Sequence, residues 1–317
     1  MKSEKIPLIL NDSNTVDALA PLIVSASRAT DIPAFYSGWF FNRLRQGYAK
    51  WRNPYNGKDS YISFAHTKFI VFWSKNPKPL LPFFSTLKNM GIGCYVQYTL
   101  NDYVTEGLEP NVPQLTDRID TFKRLVDELG AGSVVWRFDP LILTDKISSA
   151  DLLNKIERIA GQLRGYTEKL VFSFADISTY RKVGRNLSDA GVQYHEWTYD
   201  EMIDFSHILS ALELDFTLAT CAEKIDLSQF GINHNRCIDP ELICRLMPEL
   251  QQSIYNLKTD KGQRTLCGCI TAKDIGAYNT CPHGCSYCYA NASPYSARQN
   301  FIRHQQHPNN DSILWTT

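Results

Sequence analysis

The chain has no surplus of charge of either sign. Its 33 Lys and Arg residues balance 33 Asp and Glu, a formal net charge of zero at pH 7, so no global field draws it toward phosphate backbones or anionic membranes. A local basic groove is compatible with that balance. There is no run of about 18 apolar residues that could span a bilayer. The opening MKSEKIPLILNDSN interrupts its short apolar stretch with Asn and Asp too soon for a signal peptide, so a cytoplasmic protein with no membrane partner is expected. Also lacking are a GxGxxG after the first strand-like run and any GxxxxGK[ST], which argues against a Rossmann or P-loop reading. No internal repeat or low-complexity tract is present.

What is present is enough apolar residue, 44% of 317, for one large α/β barrel-type domain or two ordinary ones. Six short β-branched or aromatic runs read as strands: Pro21 to Ser25, Phe69 to Trp73, Cys94 to Thr99, Val134 to Phe138, Leu170 to Phe174 and Asp215 to Ala219. Between them the spacing predicts helices over Ile32 to Arg45, Leu80 to Met90, Leu115 to Leu129 and Ser149 to Leu163, with two more in 180–212. Ile119, Phe122 and Val126 fall on one helical face, as a helix covering a sheet requires. Strict β-α alternation predicts a parallel sheet covered by helices, here a partial TIM-type (β/α)6 barrel over 1–221. From 222 to 317 the pattern changes to short helical stretches such as Pro240 to Met247, then a Cys-, Gly- and Asn-rich segment packed on the barrel. The tail from Pro294 to Thr317 is polar and reads as irregular.

The strand exits are polar, and in barrels of parallel strands that end holds the chemistry. Many of these Ser, Asp and Asn residues serve equally well as helix caps, and Asp139-Pro140 as a turn. Arg28, Lys75 and Arg137 differ, because a cation has no capping use where the helix dipole is positive. Either they bind an anionic ligand group or they form surface ion pairs.

Eight of the nine cysteines lie in the last third, a clustering that in a reducing compartment suits metal or cluster ligands better than disulfides. The densest group is Cys281, Cys285 and Cys288, in the run Thr280-Cys-Pro-His-Gly-Cys-Ser-Tyr-Cys-Tyr-Ala-Asn291. Three thiolates at this spacing can face one inorganic cluster when Pro282 and Gly284 bend the loop. A four-iron cubane so held keeps one iron without a protein ligand, an open coordination position. Structural zinc is the alternative, with Cys269 or His283 as fourth ligand.

Cys-x3-Cys-x2-Cys with an aromatic before the last cysteine resembles the motif of the radical S-adenosylmethionine superfamily, and the upstream β-α units fit that superfamily's partial barrel. The resemblance implies a 4Fe-4S cluster on Cys281, Cys285 and Cys288, S-adenosylmethionine chelated to its free iron, Tyr287 beside the adenine, and an electron donor such as a flavodoxin or ferredoxin. It also implies cleavage to a 5'-deoxyadenosyl radical. In that superfamily the motif follows the first strand; here it follows the last, as in a circular permutation. No clear Gly-Gly-Glu follows the second strand, so methionine-binding residues are not carried over. The wider run from Cys267-Gly-Cys269 through Lys273-Asp-Ile-Gly276 to the cysteine loop resembles an uncharacterised bacterial family, domain of unknown function eighteen forty-eight, which implies no substrate. The loop alone is similar to spore photoproduct lyase and related DNA-repair proteins, which keeps nucleic acid among the candidate substrates.

Cys221, Cys237, Cys267 and Cys269 are left as four ligands of a second, closed cluster or as small buried hydrophobes. Cys244 reads as core. Cys94 opens a strand and reads as core too, with a hydrogen-atom donor inside the barrel as the alternative. His66, His195, His207 and His234 lack metal-ligand spacing. Trp51, Tyr55, Trp73, Tyr98 and Trp136 could line a cavity or stack on bases, although a packed interior needs the same residues. The competing function is a non-catalytic zinc- or cluster-bearing barrel that contacts nucleic acid or a protein partner.

Overall fold

Residues such as Phe69-Ile70-Val71-Phe72, all fully buried, can satisfy both faces of a strand only inside a sheet covered on both sides. The computed structural model, which describes residues 4–264 and 266–314, shows such a sheet. It has eight strands, all parallel. In chain order they are Ile23–Ala26, Phe69–Ser74, Gly93–Thr99, Val134–Leu141, Lys169–Phe174, Thr217–Thr220, Asn233–His234 and Lys273–Asp274. In space the first seven follow one another in that order, and the eighth pairs with the first. The six expected strands are therefore all present. The seventh and eighth, two residues each, are too short to carry a readable period. Among the described residues the sheet does not close into a barrel: its edges are the seventh and eighth strands.

Alternate residues of each strand face opposite ways, and the two faces are covered differently. Val24, Ile70, Phe72, Val96, Tyr98, Trp136 and Phe172 join a core with Phe40 and Leu44, Phe122 and Leu125, Ile156 and Ile159, and Phe205 and Leu209. These belong to the helices Ser37–Gln46, Leu115–Leu129, Ser149–Leu163 and Tyr199–Ala211, so all four helices lie on one face. Ile23, Phe69, Val71, Tyr95, Val135 and Val171 face the other way, against Ile238, Leu242, Ile243, Leu250, Ile254, Cys267 and Cys269 of the C-terminal segment. The four longer helices thus share one face and the short helices Pro240–Leu246 and Gln251–Tyr255 lie on the other; the sequential strand order sets the sheet apart from a doubly wound one, whose order reverses.

Two helices match their expected spans, Leu115–Leu129 and Ser149–Leu163, the latter opened by a capping box of Ser148 and Asp151. The expected helix from Ile32 to Arg45 breaks at Tyr36 into Ile32–Phe35 and Ser37–Gln46. Lys78–Phe83 winds as a 3₁₀ turn around its prolines before Phe84–Asn89. The tail is a correction. Pro294–Gln306 is a helix capped by the Ser293 hydroxyl, its Phe301 ring meeting Phe35 and Tyr36 edge-on at 5.6 and 5.5 Å. A further small sheet, Glu4–Ile9, Thr15–Ala20, Asp59–Ser63 and Tyr48–Arg52 in spatial order, had no counterpart in the sequence reading. Among the described residues no helix is long and apolar enough to cross a membrane.

Candidate metal centre

The eighth strand ends at Asp274, which places the cysteine loop at the C-terminal ends of the parallel strands, next to the first. Asp274 fixes that junction: its carboxylate accepts from Ser25 Oγ at 2.9 Å, Ser27 Oγ at 2.7 Å, the Arg28 backbone N–H at 2.9 Å and the Gly276 N–H at 2.9 Å.

Exits of the first three strands then hold the loop. Asp31 accepts from Ser74 Oγ at 2.7 Å and from the Lys75 N–H at 2.8 Å, and its Oδ2 lies 2.8 Å from His283 Nε2. His283 Nδ1 lies 3.2 Å from the Asn111 carbonyl. Tyr36 donates to the Thr280 carbonyl at 2.6 Å, the Ser286 N–H to Leu108 O at 3.0 Å, and Tyr289 to the Arg28 carbonyl at 2.6 Å. Gly284 takes φ +71° at the bend, the left-handed region that a glycine occupies without strain.

Cys285 is 7% exposed, while Cys281 and Cys288 are partly exposed. Burial pushes all three thiols above their ordinary pKa. Backbone N–H groups of His283 and Asp31 near Cys281, and of Asn291 and Ala290 near Cys288, pull the thiol pKa down against that burial. Amide dipoles beside sulfur favour the thiolate, so the donor set fits an iron-sulfur cluster. Both His283 nitrogens are engaged, which removes it as a fourth zinc ligand, and Cys269 lies with Cys267 and Cys237 instead. Among the described residues no three His, Cys, Asp or Glu side chains converge as around a single metal ion. A cubane gives each thiolate its own iron, so its ligands need not converge on one point.

Tyr287 is 6% exposed, with its hydroxyl bound to Lys75 Nζ at 2.8 Å, to Glu109 and to Asn101 Nδ2 at 3.1 Å. Lys75 pairs with Glu109 at 2.8 Å. Burial opposes both charges, but their mutual attraction prevails: Lys75 is held above its ordinary pKa and Glu109, with Arg118 also near, below it. Lys75 is therefore no surface cation, and of the three exit cations it is the one whose charge reaches Cys285. Glu109 and Arg118, both fully buried, escaped the sequence reading because nothing local marks a loop carboxylate and a helical Arg as partners.

Arg28 and Arg137 lie elsewhere, 4.9 and 5.4 Å from the Trp73 ring. Beside them the fold gathers the other four cysteines singled out in sequence, Cys221, Cys237, Cys267 and Cys269, each less than 9% exposed. Cys94 packs toward the helix-covered face rather than the inner one, so it is not a hydrogen-atom donor inside the sheet's concavity. Its burial raises the thiol pKa to about 12.

These features define a singly wound parallel α/β protein with two groups of cysteines at one end of its sheet. The chain belongs to the family described as Domain of unknown function (DUF1848), which matches residues 23–290, from the first strand through the cysteine loop. No curated protein and no solved structure matches the chain.

Proposed function

We propose that the protein is a radical S-adenosylmethionine enzyme of a partial-barrel type, holding an open 4Fe-4S cluster on Cys281, Cys285 and Cys288. The observation that carries the reading is positional. Counted from the edge of the sheet, the strand Lys273–Asp274 comes first and Ile23–Ala26 second, so the loop follows the first strand in space although it follows the last in sequence. That is the permuted arrangement the motif calls for.

The bound pair of cluster and S-adenosylmethionine would supply reductive cleavage of the sulfonium to a 5'-deoxyadenosyl radical. The chain's own residues do the rest. Asp31 and His283 hold the loop to the first two strand exits, Lys75 sets positive charge beside Cys285, and the inner-face packing of 237–270 closes the far side of the sheet from water. Tyr287 braces the loop through Glu109 and Asn101. The proposal includes a reducing, cytoplasmic setting and a flavodoxin- or ferredoxin-type donor.

The test is anaerobic reconstitution of the full chain, then incubation with S-adenosylmethionine and a strong reductant. 5'-Deoxyadenosine is expected, and none from Cys281→Ala, Cys285→Ala or Cys288→Ala. No product from a chain that carries an intact cluster on these three cysteines would refute the reading. About one zinc and no iron per chain as isolated would favour the non-catalytic alternative.

A further inference from the structure

Cys221 and Cys237 belong to the sixth strand's exit and to the segment after the seventh strand, and Cys267 and Cys269 lie just before the eighth. The two pairs are separated by 30 residues, yet all four cysteines lie in one buried cluster. Cys221 Sγ is 3.4 Å from Cys237 Sγ, and Cys267 Sγ 2.9 Å from Cys269 Sγ. The Ile238 N–H, next to Cys237 in the chain, donates to Cys269 Sγ at 3.3 Å and joins the two pairs. All four thiols are free.

The surroundings are unusual for buried hydrophobes. Arg137 Nη1 donates to Cys237 Sγ at 3.2 Å, Asn235 Nδ2 to the same sulfur at 3.5 Å, the Ile238 N–H to Cys269 Sγ at 3.3 Å and Arg264 Nη2 to Cys221 Sγ at 3.6 Å. Arg28 faces Cys269, Cys237 and Cys267 and keeps one buried guanidinium nitrogen without a partner. A protonated thiol is a weak acceptor and gains little from a guanidinium; a thiolate gains much. Donors aimed at these sulfurs suit metal-bound thiolates, whose residual charge the arginines would offset. The Cys237 carbonyl is fixed by Tyr95 Oη and Gln97 Nε2 at 2.7 and 2.8 Å, so the middle of the sheet sets the position of this ligand.

We propose that Cys221, Cys237, Cys267 and Cys269 form a second, closed metal centre, an iron-sulfur cluster with a full set of thiolate ligands and with Arg28, Arg137 and Arg264 as its charge partners. The case for a shared four-thiolate site is the two sulfur pairs, their common burial and the donors aimed at them; among the described residues they, like the loop cysteines, do not converge as around a single metal ion, and the choice of iron-sulfur rests on the function proposed above. Arg28 links the two centres, because its carbonyl receives Tyr289, the neighbour of Cys288, while its guanidinium faces the four-cysteine group.

The experiment reconstitutes the full chain and the triple variant Cys281→Ala, Cys285→Ala, Cys288→Ala, and measures iron, sulfide, zinc and the electron paramagnetic resonance of the reduced protein. The wild type is expected to hold about eight irons and the triple variant about four, with a signal unchanged by S-adenosylmethionine. Cys267→Ser with Cys269→Ser should lose that signal and keep the responsive one. A folded triple variant without iron, beside a wild type with about four, overturns the second centre and leaves the first. A triple variant that keeps all the iron of a wild type with about four does the reverse. About one zinc per chain, kept by the triple variant and absent when Cys267 and Cys269 are replaced, overturns the iron assignment. The triple variant decides the matter even if the cysteine-to-serine protein fails to fold.

Discussion

Each oxygen of Asp31 serves two partners: Oδ1 takes the Ser74 hydroxyl and the Ala34 N–H, Oδ2 the Lys75 N–H and His283. One carboxylate thereby caps a helix, fixes a strand exit and holds the cysteine loop. In sequence it is visible only as a capping residue. Gly276 is a second such residue: a Cβ there would lie inside the Ser27 side chain, whereas at Gly161, in the last turn of the helix Ser149–Leu163, it would meet nothing within 4 Å. Gly276→Ala is expected to cost about 1–3 kcal/mol by overpacking, and Gly161→Ala to add about 0.5–1 kcal/mol. Urea denaturation of both variants checks this; equal effects would contradict the close approach. Lys273 is held over the Trp51 ring, and burial lowers its pKa to about 8 despite Asp274. Below pH 8 the lysine is charged in both folded and unfolded chains, and the burial cost is present in full. Between about 8 and its ordinary value near 10.5 the unfolded chain binds the extra proton, so stability rises with pH across that window. The stability of the wild type relative to Lys273→Met should rise over the same range in pH-dependent denaturation. A flat or falling difference would count against the assignment.

Among elements, the six long strands and the two 15-residue helices were legible because burial on both strand faces, or on one helix face, writes a continuous or 3.6-residue apolar pattern. The helix Pro294–Gln306 was not, since only Ala297 and His304 are buried along its polar length and Phe301 is partly so. The Ser293-Pro294 start signal was available and outweighed by composition. This helix bears on the site through Tyr36, which its Phe301 ring packs against and whose hydroxyl holds Thr280 beside Cys281. Asn300 adds a bond to the Asn279 carbonyl at 2.9 Å. Phe301→Ala should cost on the order of 2 kcal/mol, below the range for a fully buried ring, and reduce the iron retained after desalting. A variant with wild-type stability and iron content would show the helix to be dispensable.

At the scale of the whole molecule, the winding decides which residues meet. Parallel strands in sequential order leave the exits of the first four on one end, and the eighth strand returns the chain to the first. That return carries the loop cysteines to Asp31 and Lys75, roughly 200 residues or more earlier in the chain. It also brings the segment 237–270 across the inner face, where Cys237, Cys267 and Cys269 meet Cys221. The two metal experiments above therefore ask about two ends of one topological feature, and iron stoichiometry separates them. Arg28 and Arg137, which the sequence offered as binders of a cofactor anion, face the four-cysteine group; Lys75 lies by the loop.

The sequence by itself determined the β-α alternation, the spans of the long strands and helices, and the three-cysteine loop, because each is written in local spacing. Only the tertiary structure decided that Lys75 is paired with Glu109, that His283 is used up by Asp31 and Asn111, and that two separate pairs of cysteines share one buried cluster. Those outcomes depend on contacts between residues far apart in the chain. No local pattern encodes such contacts; they are fixed only when the sheet's order and curl are.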